Sequence, residues 1–256
     1  MSFAPDSPLV DEVHPSPNVE PRRCDMRPTI LILHYTGLAD CAKAVDWLAR
    51  PESKVSCHYV IDEGGRIIQM VPEAMRAWHA GLSNWAGETD INSASIGIEI
   101  HNAGHDLGYP AFPDAQMEAV IALSRDIVAR HGIRPERVLA HSDVAPVRKK
   151  DPGEKFDWAR LARAGIGHWV EPAPVVKSDP GMGMGYGGEL ISLVQELFKQ
   201  YGYDLEPTGE FEEKTEFVVR AFQRHFRPAR VDGRLDQSTI TTLERLLAGL
   251  SSQPTV

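Results

Sequence analysis

The stretch Thr29-Ile-Leu-Ile-Leu-His34 decides how this chain folds. Five apolar or β-branched residues in a row predict a strand that is buried on both faces. A second short apolar run, Val138-Leu-Ala140, is followed in the same way by His141. Because strand ends place side chains at the mouth of a cleft, we expect both histidines to face one site. His34 taken alone could equally be a hydrogen-bonded core residue.

The segment His141-Ser-Asp-Val-Ala-Pro-Val-Arg-Lys-Lys-Asp151 adds a carboxylate to the two imidazoles. Asp151 stands directly before Pro152-Gly153, a turn that fixes its backbone. Two histidines and one aspartate can supply three zinc ligands and leave the fourth position for water, which is the layout of a catalytic zinc site. The sequence therefore predicts one Zn²⁺ per chain, held by His34, His141 and Asp151.

The composition limits the possible functions. The chain of 256 residues has 27 basic and 36 acidic side chains and a net charge of -9, which argues against sequence-independent binding to nucleic acid. Cys24, Cys41 and Cys57 lack the paired spacing of a disulfide framework or a thiolate zinc site. No apolar run is long enough to predict a membrane span, and the Pro-rich start lacks the features of a secretory signal. The sequence leaves the oligomeric state open.

The first two thirds of the chain predict alternating strands and helices, an α/β fold. Residues 1–27 are rich in Pro, Asp and Arg and predict an irregular arm. Apolar residues at helical spacing predict a helix over 41–49. Two short runs around Glu63-Gly-Gly65 predict a hairpin, and Ser95-Ile-Gly-Ile-Glu-Ile100 predicts a further strand.

The longest predicted helix begins after Phe112 and ends at Gly132, and a short closing helix is predicted over 158–163. Residues 168–188 are rich in Pro and Gly and predict a linker. Three helical segments follow, and they predict a small helical module near the lower size limit for independent folding: 189–201, 210–226 and 236–247.

Two charged residues are candidates for catalysis. Glu99 lies on the polar side of an otherwise aliphatic strand, where an unpaired carboxylate is costly to bury. It is either the partner of an arginine or a general base that takes a proton from the attacking water and passes it to a leaving amine. Lys149 is either a solvated charge or, two residues before Asp151, a cation that stabilises an oxyanion.

Five segments resemble the amidase-2 family of N-acetylmuramoyl-L-alanine amidases, in particular its AmpD/AmiD branch. In chain order they are Ile32-Leu-His-Tyr-Thr36, Cys57-His-Tyr-Val-Ile61, Ala77-Trp-His-Ala-Gly81, Ser95-Ile-Gly-Ile-Glu99 and His141 to Gly153. The resemblance implies a mixed central β-sheet flanked by helices. It also implies that His34, His141 and Asp151 bind zinc, that Glu99 is the catalytic acid and base, and that Lys149 assists the tetrahedral intermediate.

The C-terminal helices resemble a peptidoglycan-binding domain, through Ala221-Phe-Gln-Arg-His-Phe-Arg-Pro228 and Val231-Asp-Gly233. The apolar residues in these segments are also ordinary core residues by spacing. With this resemblance the predicted organisation is an arm over 1–27, a zinc amidase domain over 28–167, a linker over 168–188 and a peptidoglycan-binding-like helical domain over 189–250.

The expected activity is zinc-dependent cleavage of the amide bond between N-acetylmuramic acid and L-alanine in muropeptides or peptidoglycan, in recycling or turnover of the cell wall. The alternative is a non-catalytic protein that binds or senses peptidoglycan on the same fold. The absence of a signal favours the cytoplasm, and the wall-binding module favours the periplasm; we expect the cytoplasm. The predicted substrate contacts are Tyr35, His58, Trp78, His79, Asn102 and Arg148. For His79 the alternative is a position behind the metal ligands.

Overall fold

The computed structural model describes residues 3–251, which form a six-stranded mixed sheet, helices on its two faces and a helical module at the C-terminus. The strands are β1 (Glu12–Val13), β2 (Val19–Pro21), β3 (Ile30–Tyr35), β4 (Tyr59–Ile61), β5 (Ile67–Gln69), β6 (Met75–Ala77), β7 (Ser95–Ile100) and β8 (Val138–Ala140). The helices are α1 (Cys41–Leu48), α2 (Ile91–Ala94), α3 (Asp114–His131), α4 (His141–Val144), α5 (Trp158–Arg163), α6 (Glu189–Tyr201), α7 (Glu213–Phe226) and α8 (Gln237–Ser251).

The main sheet has the strand order β1-β5-β4-β7-β3-β8, and only the β4–β5 hairpin is antiparallel. This confirms the predicted hairpin and the mixed α/β fold. Strand β3 pairs in parallel with both β7 and β8, so it lies between them. The register places His34 opposite Glu99. Because paired residues of parallel strands share a face of the sheet, both side chains project to the same side.

The two faces of β3 are buried against different partners. Leu31 and Leu33 pack into the core beneath α3 and α5. Ile30 and Ile32 face the other way, into an interior that they share with α6, α7 and α8. The apolar run of β3 therefore reflects burial on both sides, as predicted. His34 is on the same side as Ile30 and Ile32, at the end of the strand, because successive side chains alternate.

The N-terminal arm is irregular over most of its length but contributes two short strands, which the sequence analysis did not predict. β1 adds a parallel edge strand beside β5, and β2 pairs with β6 in a separate two-stranded sheet. Buried Arg22 follows β2 and donates to the carbonyl oxygens of Glu73 and Ser93. The arm therefore covers a sheet edge that would otherwise be open.

The C-terminal helices share a core with the sheet. Trp85, in the loop before α2, is 2% exposed and packs edge-on against the rings of Tyr201 and Tyr203. Tyr203 and His225 both bond to the carboxylate of Asp143 in α4, at 2.8 and 2.6 Å. The module is therefore fixed against the strand and helix that carry His141.

The Pro- and Gly-rich segment 168–188 also packs against the helices. Its Ala173 donates to Thr242 and accepts from Ser238, and His168 bonds to Tyr201. The domain boundaries given above remain predictions. Within residues 3–251, no helix has the length and apolar content needed to cross a bilayer.

Candidate metal centre and cleft

Three side chains meet where β3 and β8 end. His34 is the fifth residue of β3, His141 begins α4 directly after β8, and Asp151 comes from the loop that follows α4. All three are buried. Nδ1 of His34, Nδ1 of His141 and Oδ2 of Asp151 lie 2.9 to 3.2 Å from one another. Ligands of a tetrahedral zinc ion with bonds of about 2.0–2.2 Å are roughly 3.3–3.6 Å apart, so the three donor atoms lie slightly closer together than zinc ligands and could hold a metal ion after a small outward shift.

The hydrogen bonds on the far side of each imidazole support this fit. Nε2 of His141 is 3.1 Å from the carbonyl oxygen of Ala80, so it carries the proton, and Nδ1 presents a lone pair. Nε2 of His34 is 2.9 Å from Nδ1 of His79. With the proton on this Nε2, three lone-pair donors converge with no hydrogen between them. A cation relieves the resulting repulsion, and two imidazoles with one carboxylate are ligands that zinc favours.

Burial sets the charges of the site. It lowers the pKa of His34 to about 4, with a smaller contribution from His141, so the ring is neutral near pH 7. Burial would raise the pKa of Asp151, but His141 and His34 overcome this and hold it well below its usual range. Burial also keeps the pKa of His79 well below its usual range. The neutral imidazole of His34 and the carboxylate of Asp151 are therefore in the protonation states that a metal requires.

Glu99 faces the same space from β7. Its side chain reaches the cleft, but Oε2 is buried and has no hydrogen-bond partner. Burial raises the pKa of Glu99 well above its usual range, the charge of Asp151 adds to this effect, and Lys149 opposes it. No arginine pairs with Glu99 among the ion pairs of residues 3–251, so the salt-bridge interpretation is not supported. A buried carboxyl group with a raised pKa is a candidate for proton transfer.

These residues lie in and beneath a cavity of about 510 Å³, the size range of small-molecule sites. Lys149, Arg148 and Lys150 give part of its lining a positive charge. Arg148 is held by the carbonyl oxygens of Ala80 and Leu82. The cavity therefore presents cationic side chains beside the acidic groups of Glu99, Asp106 and Asp151.

The predicted substrate contacts divide into two groups. Tyr35, Trp78, His79 and Arg148 line the cavity, and their contact with substrate remains a prediction. His58 does not line it, which corrects that prediction.

His58 has no exposed surface; its Nδ1 accepts from the backbone N–H of Gly97, and its Nε2 lies 3.1 Å from the carbonyl oxygen of Met75. Asn102 is also corrected, because its amide spans the following loop, from the N–H of Gly104 to the carbonyl oxygen of Pro110. Both side chains hold backbone rather than a ligand.

Sequence reasoning missed other lining residues, chiefly Trp47, Val55 and Asp106. Trp47 is 44% exposed, whereas α1 buries Ala44, Val45 and Leu48. A large aromatic residue on the polar side of an amphipathic helix was the available signal. Trp47 and Val55 therefore add apolar surface to a cavity that also has cationic residues in its lining.

Comparison with known proteins gives two family matches. Residues 25–154 match the family described as N-acetylmuramoyl-L-alanine amidase, and residues 187–243 match the one described as "Putative peptidoglycan binding domain". The chain is 40% identical over 230 residues to N-acetylmuramoyl-L-alanine amidase AmiD of Escherichia coli, covering 85% of this chain and 82% of that one. It is 35% identical over 171 residues to 1,6-anhydro-N-acetylmuramyl-L-alanine amidase AmpD of Enterobacter cloacae, covering 60% of this chain and 89% of that one.

Two solved structures are similar over most of the chain. One is E. coli AmiD in complex with the substrate anhydro-N-acetylmuramic acid-L-Ala-D-gamma-Glu-L-Lys, with a TM-score of 0.75 and 35% identity, covering 91% of this chain and 94% of that one. The other is AmpDh3 from Pseudomonas aeruginosa, with a TM-score of 0.75 and 32% identity, covering 91% and 96%. Both similarities extend beyond the sheet into the C-terminal helices, since 91% of the chain is covered.

Proposed function

The chain belongs to the N-acetylmuramoyl-L-alanine amidase family, and from that premise we propose that it is a zinc-dependent hydrolase of the amide bond between N-acetylmuramic acid and L-alanine. The observation that carries the proposal is the convergence of His34, His141 and Asp151 beneath a cleft that also holds Glu99. When bound, zinc supplies Lewis acidity, which acidifies water and polarises the amide carbonyl.

Glu99 is the proton carrier in this proposal. Its carboxylate removes a proton from the attacking water, and the same oxygen then gives a proton to the departing nitrogen of L-alanine. Since Oε2 makes no hydrogen bond, no other contact competes for this proton. Lys149 lines the same cavity, and its ammonium group would stabilise negative charge that develops on the carbonyl oxygen.

The proposed substrates are anhydro-muropeptides or peptidoglycan, in recycling or turnover of the wall. The structure of the relative AmiD with an anhydro-muramoyl tripeptide supports this substrate class. The C-terminal helices would add contacts to peptidoglycan, as their family match suggests. We keep a cytoplasmic location as a proposal, with the periplasm as the alternative; fractionation of cells that produce the protein tests it.

The proposal is tested by mass spectrometry of digests of two substrates, a purified anhydro-muropeptide and intact sacculi. Each digest is run with and without a zinc chelator, and with Glu99→Gln beside the exposed control Glu52→Gln. We expect free stem peptides from the untreated protein and the control, and none after chelation or with Glu99→Gln. Zinc-loaded protein that binds muropeptides but releases no peptide would reject the amidase in favour of a binding protein.

A further inference from the structure

The dipeptide His79-Ala80 touches both histidines of the candidate metal centre on the side away from the metal. Nδ1 of His79 lies 2.9 Å from Nε2 of His34, and the carbonyl oxygen of Ala80 lies 3.1 Å from Nε2 of His141. We propose that His79 is a positioning residue, which fixes the orientation and tautomer of His34 for metal binding. This inference rests on the proposed function, because it takes the centre to be a zinc site.

Hydrogen bonds link the backbone carbonyl of Ile91 to Ser95, Ser95 to His79, and His79 to His34. The carbonyl group fixes the direction of each bond. The hydroxyl of Ser95 donates to the carbonyl oxygen of Ile91, which can only accept. Oγ of Ser95 therefore accepts from Nε2 of His79, at 3.1 Å. His79 is then protonated on Nε2, and its Nδ1 accepts the Nε2 proton of His34. This leaves the lone pair of His34 Nδ1 directed at Asp151 and His141, where the metal would lie.

Two buried features hold His79 in this position. A Cβ atom at position 97 would lie 2.5 Å from Nδ1 of His79. The ring of His79 therefore occupies space that the side chain of any residue other than glycine at this position would fill. Oδ1 of Asn92 accepts the backbone N–H groups of both His79 and Ala80, at 3.0 and 2.8 Å. The same amide oxygen therefore places the two acceptors that face the two histidines.

A neutral partner for His34 suits this cleft. Metal-bound histidines usually donate to a carboxylate, a carbonyl or water, and a carboxylate partner raises the basicity of the ligand. Asp151 and Glu99 already bring two carboxyl groups into the site. A neutral imidazole orients His34 without a third negative charge, so it leaves more of the Lewis acidity of the metal available to substrate.

The test compares His79→Leu with His79→Asn, using Zn²⁺ alone and competition against a chromogenic chelator. Asn retains an acceptor, Oδ1, at the place of Nδ1, whereas Leu retains volume without an acceptor. We expect Leu to weaken Zn²⁺ binding about 10- to 100-fold, the usual effect of losing such a partner, and Asn to stay near wild type. Ser95→Ala should weaken binding less than Leu, and the buried control Ser124→Ala should leave it unchanged.

Absorption of the Co²⁺-substituted proteins reports ligand geometry, which a loss of stability alone would not alter in folded protein. We expect a changed spectrum for Leu and a preserved one for Asn. Circular dichroism identifies any variant that does not fold. If His79→Leu does not fold, the Zn²⁺ affinities of Ser95→Ala and His79→Asn test the proposal instead. If the wild-type protein hydrolyses muropeptides but His79→Leu or Ser95→Ala binds Zn²⁺ as tightly as the wild type, the proposed role of His79 is overturned and the proposed function stands. Wild-type protein that binds no Zn²⁺ would overturn the proposed function as well.

Discussion

Replacement of Glu99 by glutamine is the sharpest test of the catalytic reasoning, because it preserves shape and removes proton transfer. A positioned general acid and base contributes about 10²–10⁴ to a rate, which corresponds to roughly 2.7–5.4 kcal/mol of transition-state stabilisation. Oε2 makes no hydrogen bond that the substitution would break. We therefore expect kcat on an anhydro-muropeptide to fall about 100- to 10,000-fold, with zinc retained.

The same substitution should not reduce stability. Burial raises the pKa of Glu99 above its value in the unfolded chain. A carboxyl group with a raised folded pKa is protonated more readily in the folded state, so the wild type loses stability as the pH rises above about 4.3. Glutamine does not ionise, so the variant has no such loss of stability. We expect the metal-free variant at pH 7 to be as stable as the wild type or more stable, by up to roughly 1–3 kcal/mol.

Both effects are measured on one set of proteins. Steady-state kinetics with chromatographic detection of the released peptide gives kcat, metal analysis gives the zinc content, and urea unfolding at pH 7 gives the free energy of unfolding. The exposed Glu52→Gln serves as the matched control. A zinc-loaded Glu99→Gln that keeps kcat within tenfold of wild type would refute the assignment of Glu99 as acid and base.

Three further predictions concern stability and the metal. Tyr203→Phe removes the phenol that donates to buried Asp143 at 2.8 Å, and urea unfolding should show a loss of about 1.5–3 kcal/mol; an unchanged midpoint would contradict this. Burial lowers the pKa of His58 to about 3, so its neutral form stabilises the fold above pH 6.5 and this stability is lost on acidification. Between pH 7.5 and 5.0 the wild type should lose about 2 kcal/mol more than His58→Asn, whose Oδ1 can still accept from Gly97; equal losses would argue against it. Gly97→Ala places a methyl group 2.5 Å from His79 and should destabilise by about 1–3 kcal/mol and weaken Zn²⁺ binding, as measured by unfolding and chelator competition; a neutral result would mean that the ring can move aside.

The parts of the fold that the sequence predicted have strong local signals. The apolar run of β3 and the hairpin of β4 and β5 appear where their patterns place them, because burial on both faces and a Gly-containing turn leave few alternatives. The convergence of His34 and His141 followed from the parallel pairing of β3 and β8, whose ends lie at one edge.

The parts that sequence reasoning missed depend on distant partners. Strands β1 and β2 have two and three residues, too few for a period of their own, and they form because β5 and β6 offer unpaired edges. His58 and Asn102 occur in or beside family-like motifs, but a motif does not reveal how deeply a side chain is buried. The bonds from Asp143 to Tyr203 and His225 join residues 60 and 82 positions apart, and no local pattern encodes such a pairing.

The seating of the C-terminal helices also determines the reach of the enzyme. A flexible tether lets a catalytic cleft search a volume that grows with tether length and raises its effective concentration over many sites. Here hydrogen bonds join segment 168–188 to α6 and α8, and α7 to α4. The cleft therefore cannot move independently of the C-terminal helices. If the C-terminal helices bind to an extended surface such as peptidoglycan, the cleft is held at one distance and one angle from that surface. Cleavage would then be confined to bonds at that spacing, and lengthening the segment would not widen it while the contacts through Asp143 remain.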